Sequence, residues 1–442
     1  MHQGSGTAEL ASARGTAAGP VTGTALDLPE DPLAPRALRS RPAGRAPRTG
    51  GAPRLAGLPA LLLLASLIVS MLAASAAPTP LYAFYQREWG FTPITTTIVF
   101  GVYAVAVLVS LLFAGRLSDY AGRRPVLLVA LAVQVLALLV YASASGVGEL
   151  MAARVIQGLS TGAALGAIGA GMLDINRDRG ALANALSPGI GTGTGALLSG
   201  LFVQFLPAPA HLIYLVLAGV IVVQAVGVAL LRETVTTSRV PASALVPEVR
   251  LPRSVRGPVL AAAPVLFAVW ALAGLYGALG PSLVQTLTGS GNVVLGGASM
   301  TTLAVTAAAS VYLLRNAPAR AVMLTGIGAL VGGVAITLIA LGTGSAALFF
   351  AGTAVSGIGF GSGFQGGIRT VVPLAAPHER AGLLSLLFVV SYLGMGLPAV
   401  AAGFLAVHGA GLTGAARDYG VALIVLAALA LAALLRNRQP AR

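Results

Sequence analysis

Several residue types are missing or scarce, and each absence narrows the field. There is no cysteine, which excludes disulfides and thiolate metal sites. All 27 basic residues are arginine. Without lysine the chain cannot build a G-x-x-x-x-G-K-[ST] phosphate loop, so an ATP-driven pump working through this chain alone is excluded. The four histidines, His2, His211, His378 and His408, share no metal-ligand spacing. No nucleophile–base pairing is visible either. No enzyme activity, metal or cofactor is therefore expected. Charged residues make up only 9% of the chain, against about 25% in soluble domains, so most of it has no aqueous surface to offer.

What is present is apolar length. Mean hydropathy is +0.88, and a helix needs about 20 apolar residues to cross a hydrocarbon core of roughly 30 Å. Twelve stretches qualify, numbered here helix 1 to helix 12: Gly57–Ala77, Thr96–Ala114, Pro125–Ala144, Leu150–Leu173, Ala181–Leu206, His211–Leu231, Val259–Leu279, Val293–Leu314, Val322–Leu341, Ala346–Gly367, Leu383–Val407 and Gly420–Leu435. One internal connection is long and polar, so the chain divides into a tail (1–55), a six-helix bundle (56–231), a central loop (232–257), a second six-helix bundle (258–435) and a short tail (436–442). The fold class is all-α, a polytopic membrane protein of two related halves.

Arginine placement supplies an orientation. With both termini in the cytoplasm, every arginine except Arg87, Arg154 and Arg417 falls on the inner side, as the positive-inside rule requires. That distribution explains the formal charge of +14 without a nucleic-acid partner. Residues 1–55 lack apolar periodicity and read as a disordered cytoplasmic tail. Arginine without lysine, amid abundant alanine and glycine, is the usage expected of a high-GC, actinobacterial-type genome. The inner membrane of a bacterium is the expected location, and a single copy in the bilayer the expected state.

Between helices 2 and 3 the chain reads Gly115-Arg-Leu-Ser-Asp119-Tyr-Ala-Gly122-Arg123-Arg124-Pro125. This resembles the signature loop of the major facilitator superfamily, G-x-L-x-D-x-x-G-R-K/R, in the twelve-helix branch that includes drug exporters. The resemblance implies a latch between the halves in the outward-open state. Asp119 would face the start of helix 11 near Ala381–Leu383, where a helix dipole favours an anion, and Arg123 would pair with Asp174. Helix 4 carries Arg154-Val-Ile-Gln157-Gly158, similar to the family's R-x-x-Q-G motif. In proton-coupled relatives that motif implies a role near the proton pathway; the plainer reading is an arginine that snorkels or bonds backbone carbonyls. Helix 5 holds Gly191, Gly195, Ser199 and Gly200, similar to the antiporter motif G-x-x-x-G-P-x-x-G-G, with Ala196 at the proline and Ser199 at a glycine. Small residues at that spacing also serve close helix packing.

None of the thirteen acidic residues falls in the middle of a span. Either proton coupling runs through acids nearer the faces, such as Asp174 or Glu149, or the protein is not driven by protons. Trp270, Tyr276, Gln365, Phe388 and Tyr392, with Phe364 and Gln157, are candidates for a mostly apolar pocket, suited to a lipophilic or amphipathic small molecule. Arg154 or Arg369 could meet an anion. The expected function is secondary active transport by alternating access, as a proton-linked exporter of a hydrophobic or amphipathic compound. The alternatives are an uptake permease or facilitator for a metabolite, and a non-transporting sensor or scaffold on the same fold.

Overall fold

A computed structural model describes residues 55–409 and 411–436. The N-terminal tail expected over 1–55 lies outside the described residues apart from Leu55, and the C-terminal tail apart from Arg436. Twelve helices are long and apolar enough to span a membrane. They are α1 (Gly57–Trp89), α2 (Pro93–Ala114), α3 (Arg123–Ser143), α4 (Val147–Ile175), α5 (Arg177–Phe205), α6 (Pro209–Ala229), α7 (Arg256–Ala278), α8 (Val293–Leu313), α9 (Ala319–Thr343), α10 (Ala346–Val371), α11 (Arg380–His408) and α12 (Gly411–Arg436). This is a multi-pass membrane protein.

Two helices run past their expected ends. After Ala77 the chain re-enters a helix, Pro78–Trp89, and after α7 a further helix covers Gly280–Thr288. Proline near the start of each (Pro78, Pro80 and Pro281) is tolerated there because the first N–H groups have no intrahelical partner. Each extension stops at a left-handed glycine, Gly90 and Gly289. Hydropathy alone misses them because their composition is mixed.

Helices α1–α6 pack on one another around one apolar core, and α7–α12 around a second, which also takes in Phe100, Tyr103, Ala104 and Val107 of α2. Apolar side chains such as Val129, Val223, Leu260 and Leu313 remain exposed on the outside, as a lipid-facing belt requires. The halves meet along α5–α8 and α2–α11.

One end of the molecule carries the Gly115–Pro125 loop, the α4–α5 turn and the central segment between α6 and α7; it is called the basic end here. The opposite end is sealed. There Gly403 of α11 lies on Thr97 of α2, Gly101 on Val400, the ring of Phe100 on Gly277, and Gly200 of α5 on Val294 of α8. Pro80, in the extension of α1, reaches Gly297 of α8. The helix 5 glycines explain how α5 fits between two neighbours. Gly191 and Gly195 lie against the α1 backbone at Val69 and Ala73, while Gly189, Gly193 and Gly200 face α8. A side chain at Gly195 would run into the Ala73 backbone.

Candidate functional site

Two clusters of polar side chains stand out, one at the basic end and one beneath the seal.

At the basic end, residues Leu117–Ala121 form a single helical turn. Gly122 follows with φ +96 and no side chain to cap α3. The cap comes from far along the chain instead. The carboxylate of Glu233, in the central segment, accepts the N–H groups of Arg123 (2.9 Å) and Arg124 (3.0 Å). A carboxylate at a helix N-terminus satisfies orphan donors and meets the positive end of the dipole. A Cβ at residue 122 would sit 2.7 Å from that carboxylate, so glycine is required there for space as well as for backbone conformation.

Arg123 lies at the centre of this cluster. Its guanidinium donates to Asp174 (3.2 Å) and Ser118 (2.7 Å) and pairs with Asp119. Thr234 donates to the same Asp174 carboxylate at 2.9 Å. The expected Arg123–Asp174 pair is therefore present. Asp119, however, is turned to Arg123 with its side chain 51% exposed, rather than toward the start of α11. The central segment occupies that place: the Arg250 N–H donates to the Gly382 carbonyl (3.2 Å), and Glu248 pairs with both Arg116 (3.0 Å) and Arg250 (3.4 Å). The expected latch belonged to a state closed at this end. Here the far end is the sealed one, and the central segment bridges the halves instead.

Beneath the seal lies Arg154, 1% exposed. It donates to the Ser75 carbonyl (2.9 Å), the Gln157 amide oxygen (3.0 Å) and the Tyr82 hydroxyl (2.5 Å). The rings of Tyr103, Tyr82 and Tyr141 surround its guanidinium at 5.2, 5.7 and 5.9 Å. Tyr141 also donates to Gln157 at 3.1 Å and stacks on Tyr214. The arginine does not snorkel to a helix end. Among the described residues, every ion pair lies at the basic end, so this cation has no carboxylate beside it.

Across the interface, Trp270 of α7 lies about 10 Å below Gly277 toward the basic end, two helical turns away. Phe364 and Phe360 meet its ring edge-on at 5.5 and 5.9 Å, and Tyr392 of α11 lies at 4.9 Å. Phe388 is one turn from Tyr392, partly buried against the same core. Phe360 escaped the sequence reading, although its i, i+4 spacing from Phe364 placed it on the same face.

Two other candidates remain. Tyr276 is fully buried, its hydroxyl shared with Thr337 (2.7 Å) and Ser356 (3.2 Å) between α7, α9 and α10. Gln365 is one turn from Arg369, whose guanidinium donates to the carbonyls of Leu314 (3.4 Å) and Ala317 (2.8 Å). Arg369 is thereby committed to backbone carbonyls. Gly361, one turn before Gln365, packs on Ala307 and Ser310 of α8, and the Gln365 amide oxygen is buried with no partner. Glu149, the other acid singled out, accepts from Ser145 at the start of α4 and is exposed.

Three comparisons bear on identity. Residues 62–348 match the sequence profile of the Major Facilitator Superfamily. Over 101 residues the chain is 36% identical to Multidrug resistance protein D of Escherichia coli (strain K12), covering 23% of this chain and 26% of that protein. Over 128 residues it is 33% identical to Citrate exporter 1 of Aspergillus niger, covering 28% and 24%. The chain thus matches about a quarter of the length of these curated relatives. In shape it is similar to a bacterial homologue of the human lysosomal transporter Spinster, with a TM-score of 0.68 over 86% of this chain and 98% of that one at 13% identity; that likeness is one of fold. The profile spans well over half of the sequence, over helices arranged as that family requires: the chain belongs to the Major Facilitator Superfamily.

Proposed function

We propose that this protein is a secondary transporter that exports a hydrophobic or amphipathic compound in exchange for protons, by alternating access. The observation that carries the reading is the asymmetry of the interface. One end is locked by close packing, the other is bridged only by side chains and a loop, and an aromatic-lined region lies between them. Exposed ion pairs such as Arg116–Glu248 are each worth about 0–1 kcal/mol, weak enough to release and reform in a transport cycle. The names of the matched relatives, a multidrug resistance protein and a citrate exporter, favour export. The arginine bias favours a bacterial inner membrane with the basic end, and both termini, in the cytoplasm. In that orientation the conformation described is closed to the outside.

Proton coupling is assigned to Asp174, with Glu149 as its counterpart at the other end. Among the described residues no acidic side chain is buried, so the proton acts from the helix ends. Protonating Asp174 would remove its attraction for Arg123 and loosen the loop that Glu233 and Thr234 hold.

Everted membrane vesicles with an acidified lumen test both parts. Candidate lipophilic compounds are expected to accumulate in the lumen and to dissipate part of the pH gradient as they do so. Accumulation that persists unchanged after an ionophore collapses the gradient would make the protein a facilitator. The double variant Glu149→Gln/Asp174→Asn is expected to lose substrate-dependent pH changes; if those persist, the two acids are not the coupling groups.

A further inference from the structure

Arg154 Nε, Gln157 Nε2, Thr161 Oγ1 and Trp270 Nε1 are among the polar atoms buried with no partner, as are Ser362 Oγ and Gln365 Oε1 on α10. The guanidinium, the amide and the indole nitrogens can only donate; the threonine hydroxyl can do either. Arg154, Gln157 and Thr161 are each at least 99% buried. An orphaned buried donor costs about 1–3 kcal/mol, and a buried charge with no counter-charge costs more. Arg154, a buried cation with a free donor and no carboxylate beside it, marks a place that awaits an acceptor. Tyr103 connects the two sides: its ring lies against Arg154, and it shares an apolar cluster with Tyr392, against which Trp270 packs.

Resting on the transport reading above, we propose that the compound carried is an amphipathic aromatic anion. Its acid group is drawn toward Arg154 and Gln157, and its flat apolar body lies among Trp270, Phe360, Phe364 and Tyr392. A carboxylate supplies acceptors only, which is what the orphaned donors lack, and it neutralises the one buried charge among the described residues. A cationic amphiphile brings donors and a second positive charge to the same place. In the conformation described, Tyr82, Tyr103 and the seal cover Arg154, so the acid group reaches it fully as the far end opens.

The test is a binding measurement that does not depend on transport. The chain has two tryptophans, so Trp89→Phe leaves Trp270 as the sole reporter in the purified full-length protein. Three probes of one shape, para-tert-butylbenzoate, para-tert-butylbenzamide and para-tert-butylbenzylammonium, are titrated by Trp270 emission and by calorimetry. The benzoate is expected to bind at least about ten-fold more tightly than the amide, the scale of one charge-assisted hydrogen bond, with the ammonium weakest. Equal affinity for acid and amide, a preference for the ammonium, or no saturable binding by any of the three overturns the proposal. Arg154→Gln is expected to bring acid and amide to the same affinity; should that variant not fold, the ranking on the unaltered pocket decides alone. Benzoate binding without flux in vesicles removes the transport reading and leaves the site. Flux of cationic compounds with no benzoate binding does the reverse.

Discussion

Single residues at the basic end make the sharpest structural claims. Glu233 closes the N-terminus of α3 from the segment that follows α6, so Glu233→Ala should lower stability by about 1–2 kcal/mol, the scale of a lost helix cap. Thermal unfolding in micelles would register it, and an unchanged midpoint would remove the capping role. Gly122→Ala should cost more, because it combines a left-handed backbone with a Cβ placed against that same carboxylate. Asp119 behaves differently. Its pair with Arg123 is half exposed, so Asp119→Asn should change stability by less than about 1 kcal/mol while reducing flux strongly. Wild-type flux in a folded Asp119→Asn protein would sink the assignment of this loop to the conformational cycle.

At the scale of helices, small residues decide which elements can approach. Gly195 brings α5 onto Ala73 of α1, and Gly195→Leu should abolish the folded protein in membranes; a normally folded variant would mean that α5 has slack the packing denies. Spans were legible because hydrophobic length and arginine placement are local properties of the chain. The two extensions, Pro78–Trp89 and Gly280–Thr288, were not, because their helical state depends on packing against the far end rather than on hydropathy. The Arg123–Asp174 pair was legible from a motif. The Glu233 cap was not, since its donors lie about 110 residues away in sequence and nothing local points to them. Likewise Tyr276 looked like a pocket residue by type and depth. Only the rotation of α7 shows that it faces α9 and α10.

Across the whole molecule, the proposed cycle has the two halves rock about a region lined by Arg154 on one side and Trp270 on the other. On the proposed mechanism, the close contacts of α2–α11 at the far end and the weaker bridge through Glu248 and Arg250 are two ends of one equilibrium. The absence of cysteine makes the chain a ready background for site-specific labels. Spin labels on Glu88→Cys with Thr286→Cys report the far end, and on Arg177→Cys with Arg320→Cys the basic end, all four being exposed positions. Interspin distances for both pairs, measured in liposomes at acidic and at neutral pH, test alternating access most directly. Alternating access requires two populations per pair that shift in opposite directions, the far-end pair widening as the basic-end pair narrows. A single distance for each pair, unmoved by pH, would contradict it and describe a rigid scaffold on a transporter fold.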